Sequence, residues 1–286
     1  MLVIVGYVII LASVFGGFAL AGGHLAALFQ PIELLMIGGG AIGAMLVSSG
    51  PKVLKLTLKA LPSLLKGSKY TKALYMELLA LLFEILAKVR KEGLMSIESD
   101  VEDPHASPIF SKYPAISSDH HVVEFITDYL RLMVGGNLNA MEIENLMDIE
   151  IETHHNEGYI PVSAMAKLGD GLPAFGIVAA VMGVVHTMES VGIPPAELGM
   201  LIAAALVGTF LGILFAYGFV GPLSTLLENK LQESSKVFET IKVTLLASLN
   251  GYAPQVAVEF GRKVLYSTER PGFLELEEHI KQAKGK

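Results

Sequence analysis

LGMLIAAALVGTFLGILFAYGFV, residues 198–220, contains no Asp, Glu, Lys or Arg. It is longer than the ~20 apolar residues that a helix needs to cross the hydrocarbon core of a bilayer. Three further apolar windows occur at Leu2–Ala21, Ile32–Val47 and Leu172–Met188; the second is a little short, and Glu33 lies at its edge. The sequence therefore predicts four transmembrane helices.

The composition of the whole chain agrees with a membrane protein. Hydrophobic residues make up 52% of its 286 residues and charged residues 17%, whereas a typical soluble domain has roughly 25% charged residues. The absence of cysteine excludes disulfides, thiolate zinc sites, cysteine nucleophiles and iron–sulfur clusters held by this chain alone. A net charge of −7 argues against nucleic acid as a partner. We therefore expect membrane lipid, and no nucleic acid, around the apolar windows.

The first window has some features of a secretory signal. A signal peptide has a basic n-region and an apolar stretch of roughly 7–15 residues before its cleavage site. Here no Lys or Arg precedes Lys52, and the apolar run is longer. We expect the chain to keep this helix.

The lysines set the expected orientation. Six of them follow the second window directly, at Lys52, Lys55, Lys59, Lys66, Lys69 and Lys72. The short connections at residues 22–31 and 189–197 contain no Lys or Arg. By the positive-inside rule, the long middle segment, the tail and both termini then lie on the cytoplasmic side of a multi-pass protein.

These observations predict an all-α integral membrane protein. Residues 1–50 hold transmembrane helices 1 and 2, and residues 171–221 hold helices 3 and 4. Residues 51–170 form a large helical cytoplasmic domain between helices 2 and 3, and residues 222–286 form a helical cytoplasmic tail.

Helical periodicity predicts the first elements of the cytoplasmic domain. Apolar residues recur at helical spacing over Tyr70–Val89. Asp119 is expected to cap a second helix, and Asn139 with Glu142 matches a capping box that opens a third. We expect that third helix to end near residue 157.

Small residues recur in the apolar windows. Ala204, Gly208, Gly212 and Ala216 follow at a spacing of four, along one helix face. Small residues let helices in lipid approach closely, so this face packs either inside one four-helix unit or against other chains. Residues 38–43 also match G-x-G-x-x-G, but their place inside an apolar window, without a preceding strand, argues against a dinucleotide site.

The middles of the four windows contain no Asp, Glu, Lys or Arg. Ion carriers within a bilayer are usually ionisable side chains. The interior polar candidates are Thr209 and Tyr217, and each has an alternative explanation. Thr209 can bond back to its own helix, and Tyr217 can belong to an aromatic belt at the membrane surface. If the chain conducts ions, we expect another chain to supply the titrating group.

Two prolines mark the same end of the predicted bundle. Pro173 opens the third window, where proline is tolerated as a helix start. Pro222 follows the fourth window, although the helical pattern continues to Leu249. A proline inside a continuing helix bends it, so Pro222 is a hinge candidate.

The cytoplasmic domain is densely charged with both signs, for example at Lys88, Arg90, Lys91, Glu92 and Glu98. These charges form either a solvated helix face or a docking surface that steers a partner. No H-E-x-x-H, P-loop or G-x-S-x-G motif occurs. The sequence therefore predicts no enzyme, no metal site and no cofactor.

The segments LPAFGIVAAVMGVVHTM (172–188) and ALVGTFLGILFAYGFVGPLSTLLE (205–228) closely resemble the MotA family of flagellar stator subunits. KVRKEGLMSIE (88–98) and AVEFGRKVLY (257–266) do so too. The resemblance covers essentially the whole chain and is most specific in the third and fourth windows. The wider MotA/TolQ/ExbB family shares the membrane core.

The resemblance implies a stator subunit of the bacterial inner membrane that converts proton-motive force into torque. Several copies of the chain would surround a dimer of MotB, which brings the ion-carrying aspartate and the wall anchor. Thr209 and Ala180 match positions that line the ion path, with Tyr217 as a second-tier position. Sodium-driven relatives carry a hydroxyl where Ala180 stands, so protons are the expected coupling ion.

The resemblance also assigns roles outside the ion path. Pro173 and Pro222 match prolines that transmit conformational change to the cytoplasmic domain. Arg90 and Glu98 match charged residues that engage the rotor switch protein FliG, and Glu150 matches a further acidic position less closely. An alternative is a TolQ/ExbB-like energiser of an outer-membrane process, but those relatives commonly have three spans. A small-solute transporter would need a polar site at mid-membrane, and none is visible in the sequence.

Overall fold

The computed structural model of the chain describes residues 2–136, 138–189, 192 and 194–284. Regular structure in those residues is helical, and no strand occurs among them, which confirms the all-α prediction. The chain divides into two compact units. Unit 1 comprises Met1–Gly67 and Gly158–Asn229, and unit 2 comprises Ser68–Glu157 and Lys230–Lys286. The division into membrane and cytoplasmic segments stays a prediction.

The α-helices are numbered here in chain order. They are α1 (Leu2–Leu11), α2 (Gly17–Leu20), α3 (Pro31–Ser48), α4 (Pro51–Ala60), α5 (Lys72–Glu92), α6 (Glu98–Glu102), α7 (Pro114–Ser117), α8 (His120–Gly135), α9 (Ala140–Glu189), α10 (Pro195–Ile213), α11 (Gly221–Leu249), α12 (Pro254–Val264) and α13 (Phe273–Lys284). Two π-helical segments, Ala12–Gly16 and Leu214–Val220, join α1 to α2 and α10 to α11. Short 3₁₀ turns occur at Leu25–Leu28, Leu61–Leu65, Leu94–Ile97 and Phe110–Lys112.

Four helical segments are long and apolar enough to cross a membrane: Leu2–Leu20, Leu25–Ser48, Ala140–Glu189 and Pro195–Leu249. Their number agrees with the prediction. In the most apolar stretch of each segment, the percentage of residues that are buried rises from 0% in the first segment to 28% in the fourth. The first span therefore lies at the periphery of unit 1, and the third and fourth spans lie at its packed centre.

The third span begins earlier than the sequence predicted. Instead of one helix ending near residue 157 and another starting at Leu172, α9 continues without a break and contains both Pro161 and Pro173. Each proline removes only one backbone donor, and the backbone hydrogen bonds before and after it keep the helix continuous. The hydroxyl of Ser224 donates to the carbonyl of Val162 at 3.0 Å, beside Pro161. Pro173 is therefore inside a helix rather than at its start.

The helix caps agree with the sequence at one position and differ at another. The Asn139 side chain accepts from the amides of Met141 and Glu142 at 3.0 Å, and Glu142 accepts from the Asn139 amide at 2.8 Å. This confirms the capping box. Asp119 holds the N-cap position of α8 but makes no capping bond, because its carboxylate pairs with Lys69 at 2.6 Å.

Helix α5 runs through the hydrophobic core of unit 2. Its buried residues include Leu78, Leu79, Leu81, Leu82, Ile85 and Leu86, each at most 1% exposed. Side chains from α8, α11 and α12 are among those that pack around it. The end of α5 is therefore firmly held, and it carries the charged loop at residues 88–98.

Candidate functional site

Helices α9 and α10 pack backbone against backbone in unit 1. A Cβ atom built on Gly176 would lie 2.9 Å from the carbonyl oxygen of Gly208, and one built on Gly212 would lie 2.7 Å from that of Leu172. A Cβ on Gly208 would lie 3.2 Å from the Cβ of Ala179. Gly208 and Gly212 therefore face the same chain's α9, so packing within one unit, left open by the sequence, is confirmed for these two residues.

This glycine seam brings Thr209 and Ala180 to neighbouring positions. A Cβ on Gly176 would lie 3.5 Å from the Cα of Thr209, and one on Gly208 would lie 3.4 Å from the backbone nitrogen of Ala180. Both residues are half-buried. The two positions that the resemblance assigns to the ion path thus lie at the same contact between α9 and α10.

The hydroxyl of Thr209 has no hydrogen-bond partner in the described part of the chain. Every other threonine of the chain makes a side-chain hydrogen bond, and Thr209 makes none with the residues that the structure describes. Thr187 and Thr240, by contrast, donate to the carbonyl four residues earlier at 2.8 and 2.7 Å. The alternative that Thr209 bonds back to its own helix is wrong in this conformation. Its oxygen remains able to bind an ion, a water molecule or a partner's side chain.

Tyr217 lies in the π-helical segment that precedes Pro222, and it is 74% exposed. The same segment contacts the first span: the hydroxyl of Tyr7 donates to the carbonyl of Phe219 at 3.0 Å, and the two rings stack with centroids 4.8 Å apart. Pro222 provides no backbone donor to this part of the helix, and π-helical turns depart from the α pattern. Tyr7, which the sequence did not single out, thus supplies a donor where the helix is least regular.

Pro173 lies in direct contact with α10. A Cβ on Gly212 would lie 3.3 Å from the Cα of Pro173. A change in the bend of α9 at this proline would therefore displace α10 at Gly212. The sequence pointed to Pro173 but not to Pro161, because Pro161 lay between the predicted helix end near residue 157 and the start of the third window.

In unit 2, Arg90 and Glu98 flank the turn that ends α5. Gly93 makes this turn with a φ of 87°, a conformation that favours glycine. Nη1 of Arg90 lies 3.5 Å from the carbonyl oxygen of Gly251, in the turn between α11 and α12. Glu98 is exposed at the start of α6 and lines a shallow depression with Arg131. Within the described residues, Arg90 and Glu98 do not pair with each other.

An ion pair between half-buried Lys88 and buried Asp100 holds the loop that carries Glu98. Nζ of Lys88 lies 2.7 Å from Oδ2 of Asp100, whose side chain is 4% exposed. The hydroxyl of Ser107 donates to the other oxygen of Asp100 at 2.6 Å. These contacts satisfy the buried carboxylate and fix α6 against the end of α5.

Glu150 lies in a different environment, on α9 beside α8. It accepts a hydrogen bond from Tyr129 at 2.7 Å. Burial first, and then this bond, raises the pKa of Tyr129. Glu150 and His154 line the same small cavity. Burial lowers the pKa of His154, and its Nδ1 atom is buried without a hydrogen-bond partner in the described part of the chain.

No cluster of three or more His, Asp or Glu side chains suited to a metal ion occurs among the described residues.

Nearly the whole length of the chain matches known proteins, and these belong to one family. Residues 4–93 match the family model described as Motility protein A N-terminal, and residues 118–240 match the MotA/TolQ/ExbB proton channel family. The chain is 56% identical to Motility protein A of Salmonella typhimurium and 57% identical to that of Escherichia coli, covering 99% of this chain and 96% of each relative. The flagellar MotAB stator complex from Bacillus subtilis contains a similar chain, with a TM-score of 0.74, 26% identity and 98% of both chains covered.

Proposed function

The chain belongs to the motility protein A family of flagellar stator subunits, and we propose that it conducts protons together with a partner and converts that flow into torque on the rotor. The observation that carries this proposal is the hydroxyl of Thr209, half-buried at the seam between α9 and α10 and without a hydrogen-bond partner among the described residues. The spans have no charged side chain at their middles. The chain would therefore line an ion path, and another chain would provide the side chain that takes up the ion.

The partner that we propose is MotB. The similar chain from Bacillus subtilis was solved as part of a MotAB stator complex. Several copies of this chain would surround a MotB dimer, whose membrane aspartate takes up the ion and whose remainder anchors the complex to the wall. Ala180 lacks the hydroxyl of sodium-driven relatives, which supports protons as the coupling ion.

Such a motor must do its work in many small steps, because each proton releases little energy. A unit charge that crosses 100 mV releases about 2.3 kcal/mol, which is only a few times RT. Protonation neutralises the partner's carboxylate and changes which positions of the surrounding helices are favoured. Thr209 and Ala180, with Tyr217 further along α10's continuation, would contact the ion or its carrier.

Pro173 and Pro222 are the proposed transmission points. Helices α9 and α11 each contain residues of both units. Pro173 contacts α10 at Gly212, and Pro222 follows a π-helical segment. Bends at these two positions would carry a change at the ion path along continuous helices.

Arg90 and Glu98 are the proposed contacts to the rotor protein FliG. Both are exposed, and the loop between them is fixed by the ion pair of Lys88 with Asp100. Long-range charge pairs suit a contact that must form and release many times. Glu150 is a weaker candidate because Tyr129 already binds its carboxylate. The protein would lie in the inner membrane, with both termini and the rotor contact on the cytoplasmic side.

The stator is favoured over a TolQ/ExbB-type energiser. Four membrane-capable helices and a match to the Motility protein A model along residues 4–93 both support the stator.

A deletion strain tests the function and the ion together. Swimming should disappear without this protein, return when it is supplied together with its partner, and stop when a protonophore collapses the proton gradient. Removal of external sodium should leave swimming unchanged. Normal swimming of the deletion strain would contradict the motor function, and sodium-dependent swimming would contradict proton coupling.

A further inference from the structure

Helix α12 and the turn before it present an apolar ridge on the surface of unit 2. Tyr252, Val256 and Phe260 follow at a spacing of four and are 48%, 42% and 43% exposed. The rings of Tyr252 and Phe260 contact each other, with centroids 5.2 Å apart. The opposite face of α12, at Ala257 and Val258, is buried in the core, so the ridge is held in a fixed orientation.

Such a ridge differs from the single exposed apolar side chains of ordinary surfaces. Scattered apolar residues are normal, whereas adjoining ones mark interaction sites. Aromatic side chains contribute much of the energy of protein interfaces because they bury a large area with few rotatable bonds. The ridge therefore has the composition of a protein contact.

Positive charge stands at both ends of the ridge. Arg90 approaches the carbonyl of Gly251, the neighbour of Tyr252, at 3.5 Å. Lys263, 62% exposed in its side chain, lies one turn beyond Phe260. The chain as a whole has a net charge of −7, so the positive charge at both ends of the ridge differs in sign from the charge of the whole chain.

Lys263 shares Glu259, its one carboxylate partner within the described part of the chain, with Arg262. Glu259 binds the guanidinium of Arg262 with both oxygens, each at 2.6 Å, and this contact lowers the pKa of Glu259. Lys263 remains 3.8 Å from that carboxylate. Among the residues that the structure describes, Arg90 contacts a carbonyl oxygen and no carboxylate. A matching surface would thus present carboxylates on either side of apolar side chains.

We propose that the ridge of Tyr252, Val256 and Phe260 is the apolar part of the surface through which Arg90 engages the rotor, and that it binds a segment of the rotor switch protein whose apolar side chains lie between carboxylates. The proposal rests on the rotor contact proposed above and deepens it. Charges at the two ends would steer and align the partner. The three apolar side chains would hold it, over an area small enough to permit release.

Site-specific photo-crosslinking in cells tests the occupant directly. The photoreactive residue p-benzoyl-phenylalanine replaces Val256, Arg90 or Leu274 in the full-length chain within its stator complex. Leu274 is a matched control, since it is apolar and 75% exposed but lies on α13. We expect crosslinks to the rotor switch protein from positions 256 and 90, identified with an antibody to that protein, and none from position 274.

The possible outcomes separate the two proposals. A rotor crosslink from position 90 but not from position 256 overturns the ridge and leaves the rotor contact intact. Absence of a rotor crosslink at both positions overturns both. Crosslinks from position 256 to lipid or to a second copy of this chain also overturn the ridge as a rotor surface.

A polar substitution gives a second, functional measurement. Phe260→Ser should shorten the dwell time of a stator unit at the rotor by about tenfold, as expected for loss of one aromatic anchor. Leu274→Ser should leave the dwell time unchanged. Membrane levels and proton flux are measured for both variants, and the proposal fails if Phe260→Ser lowers neither dwell time nor torque at a normal membrane level.

Discussion

Gly176 in α9 and Gly212 in α10 face each other so closely that neither position has room for a side chain. A Cβ atom on Gly176 would lie 3.2 Å from the Cα of Gly212, and one on Gly212 would lie 3.0 Å from the Cα of Gly176. In lipid, where apolar burial does not drive association, such backbone contact is a main source of helix packing. The seam also determines the positions of Thr209 and Ala180.

Substitution at the seam should separate the two helices. Gly212→Ala places its Cβ against the backbone of Leu172 and Gly176, and we expect a loss of about 1–3 kcal/mol of stability. Gly39→Ala is the matched control, because a Cβ there meets nothing within 4 Å. Thermal unfolding of the purified complex and the membrane level of the protein measure the effect. Equal stability of the two variants would contradict the close packing.

Removal of the Thr209 hydroxyl should lower the rate of proton flux. Thr209→Val keeps the shape of the side chain, and loss of one hydrogen bond to the moving ion or its carrier should lower proton flux and torque about tenfold. Thr209→Ser should retain most of both. In Thr187→Val the lost hydroxyl is one that bonds to Gly183 within its own helix, so flux should stay near normal. Normal flux in Thr209→Val would show that this hydroxyl does not contact the ion.

The loop that carries Glu98 should loosen without its ion pair. Asp100→Asn removes the charge that pairs with Lys88 in a buried setting, and we expect a cost of about 2 kcal/mol. Glu92→Gln removes a partner of Lys91 from an exposed pair and should cost less than about 0.5 kcal/mol. Hydrogen exchange over residues 94–102 reports the difference. Similar protection in the two variants would mean that the pair of Lys88 with Asp100 does not fix the loop.

The stability of unit 2 should fall as the medium becomes acidic. Burial lowers the pKa of His154 below its ordinary value of 6.5, with His121 and His155 adding to the shift and Glu157 and Asp119 opposing it. The unfolded chain takes up a proton at this position near pH 6.5, while the folded chain resists it. Stability from the neutral imidazole is thus present above that pH and is lost below it.

Unfolding followed between about pH 5 and pH 8 measures this dependence. The free energy of unfolding should fall towards the acid end in the parent protein, and the slope should be smaller in His154→Asn. An identical slope in the variant would assign the pH dependence to other groups.

The number of membrane-capable helices and the capping box of α9 could be predicted because their signals are local. A run of ~20 apolar residues specifies a span by itself, and Asn139 with Glu142 forms a cap within one turn. The face of small residues was also visible, but its partner was not, because the spacing of Gly208 and Gly212 does not say which helix they meet.

Other features depended on contacts that no local pattern shows. Pro161 and Pro173 favour a break, yet the hydrogen bonds around them continue α9. Asp119 occupies a cap position, but Lys69 competes for its carboxylate. The bond from Tyr7 to Phe219 joins residues far apart in the chain. Neither the position of the Thr209 hydroxyl nor the cations beside the α12 ridge could be recognised before the neighbouring helices were placed.

Proton flux into sealed vesicles, measured with a pH-sensitive dye, tests most directly whether this chain forms the wall of an ion path whose carrier comes from another protein. We expect no flux above that of empty vesicles when the purified chain is reconstituted alone, and clear flux when it is reconstituted with MotB. Replacement by asparagine of the membrane aspartate that we propose MotB to provide should abolish that flux. Rapid proton flux through the chain alone would contradict the assignment of the carrier to the partner.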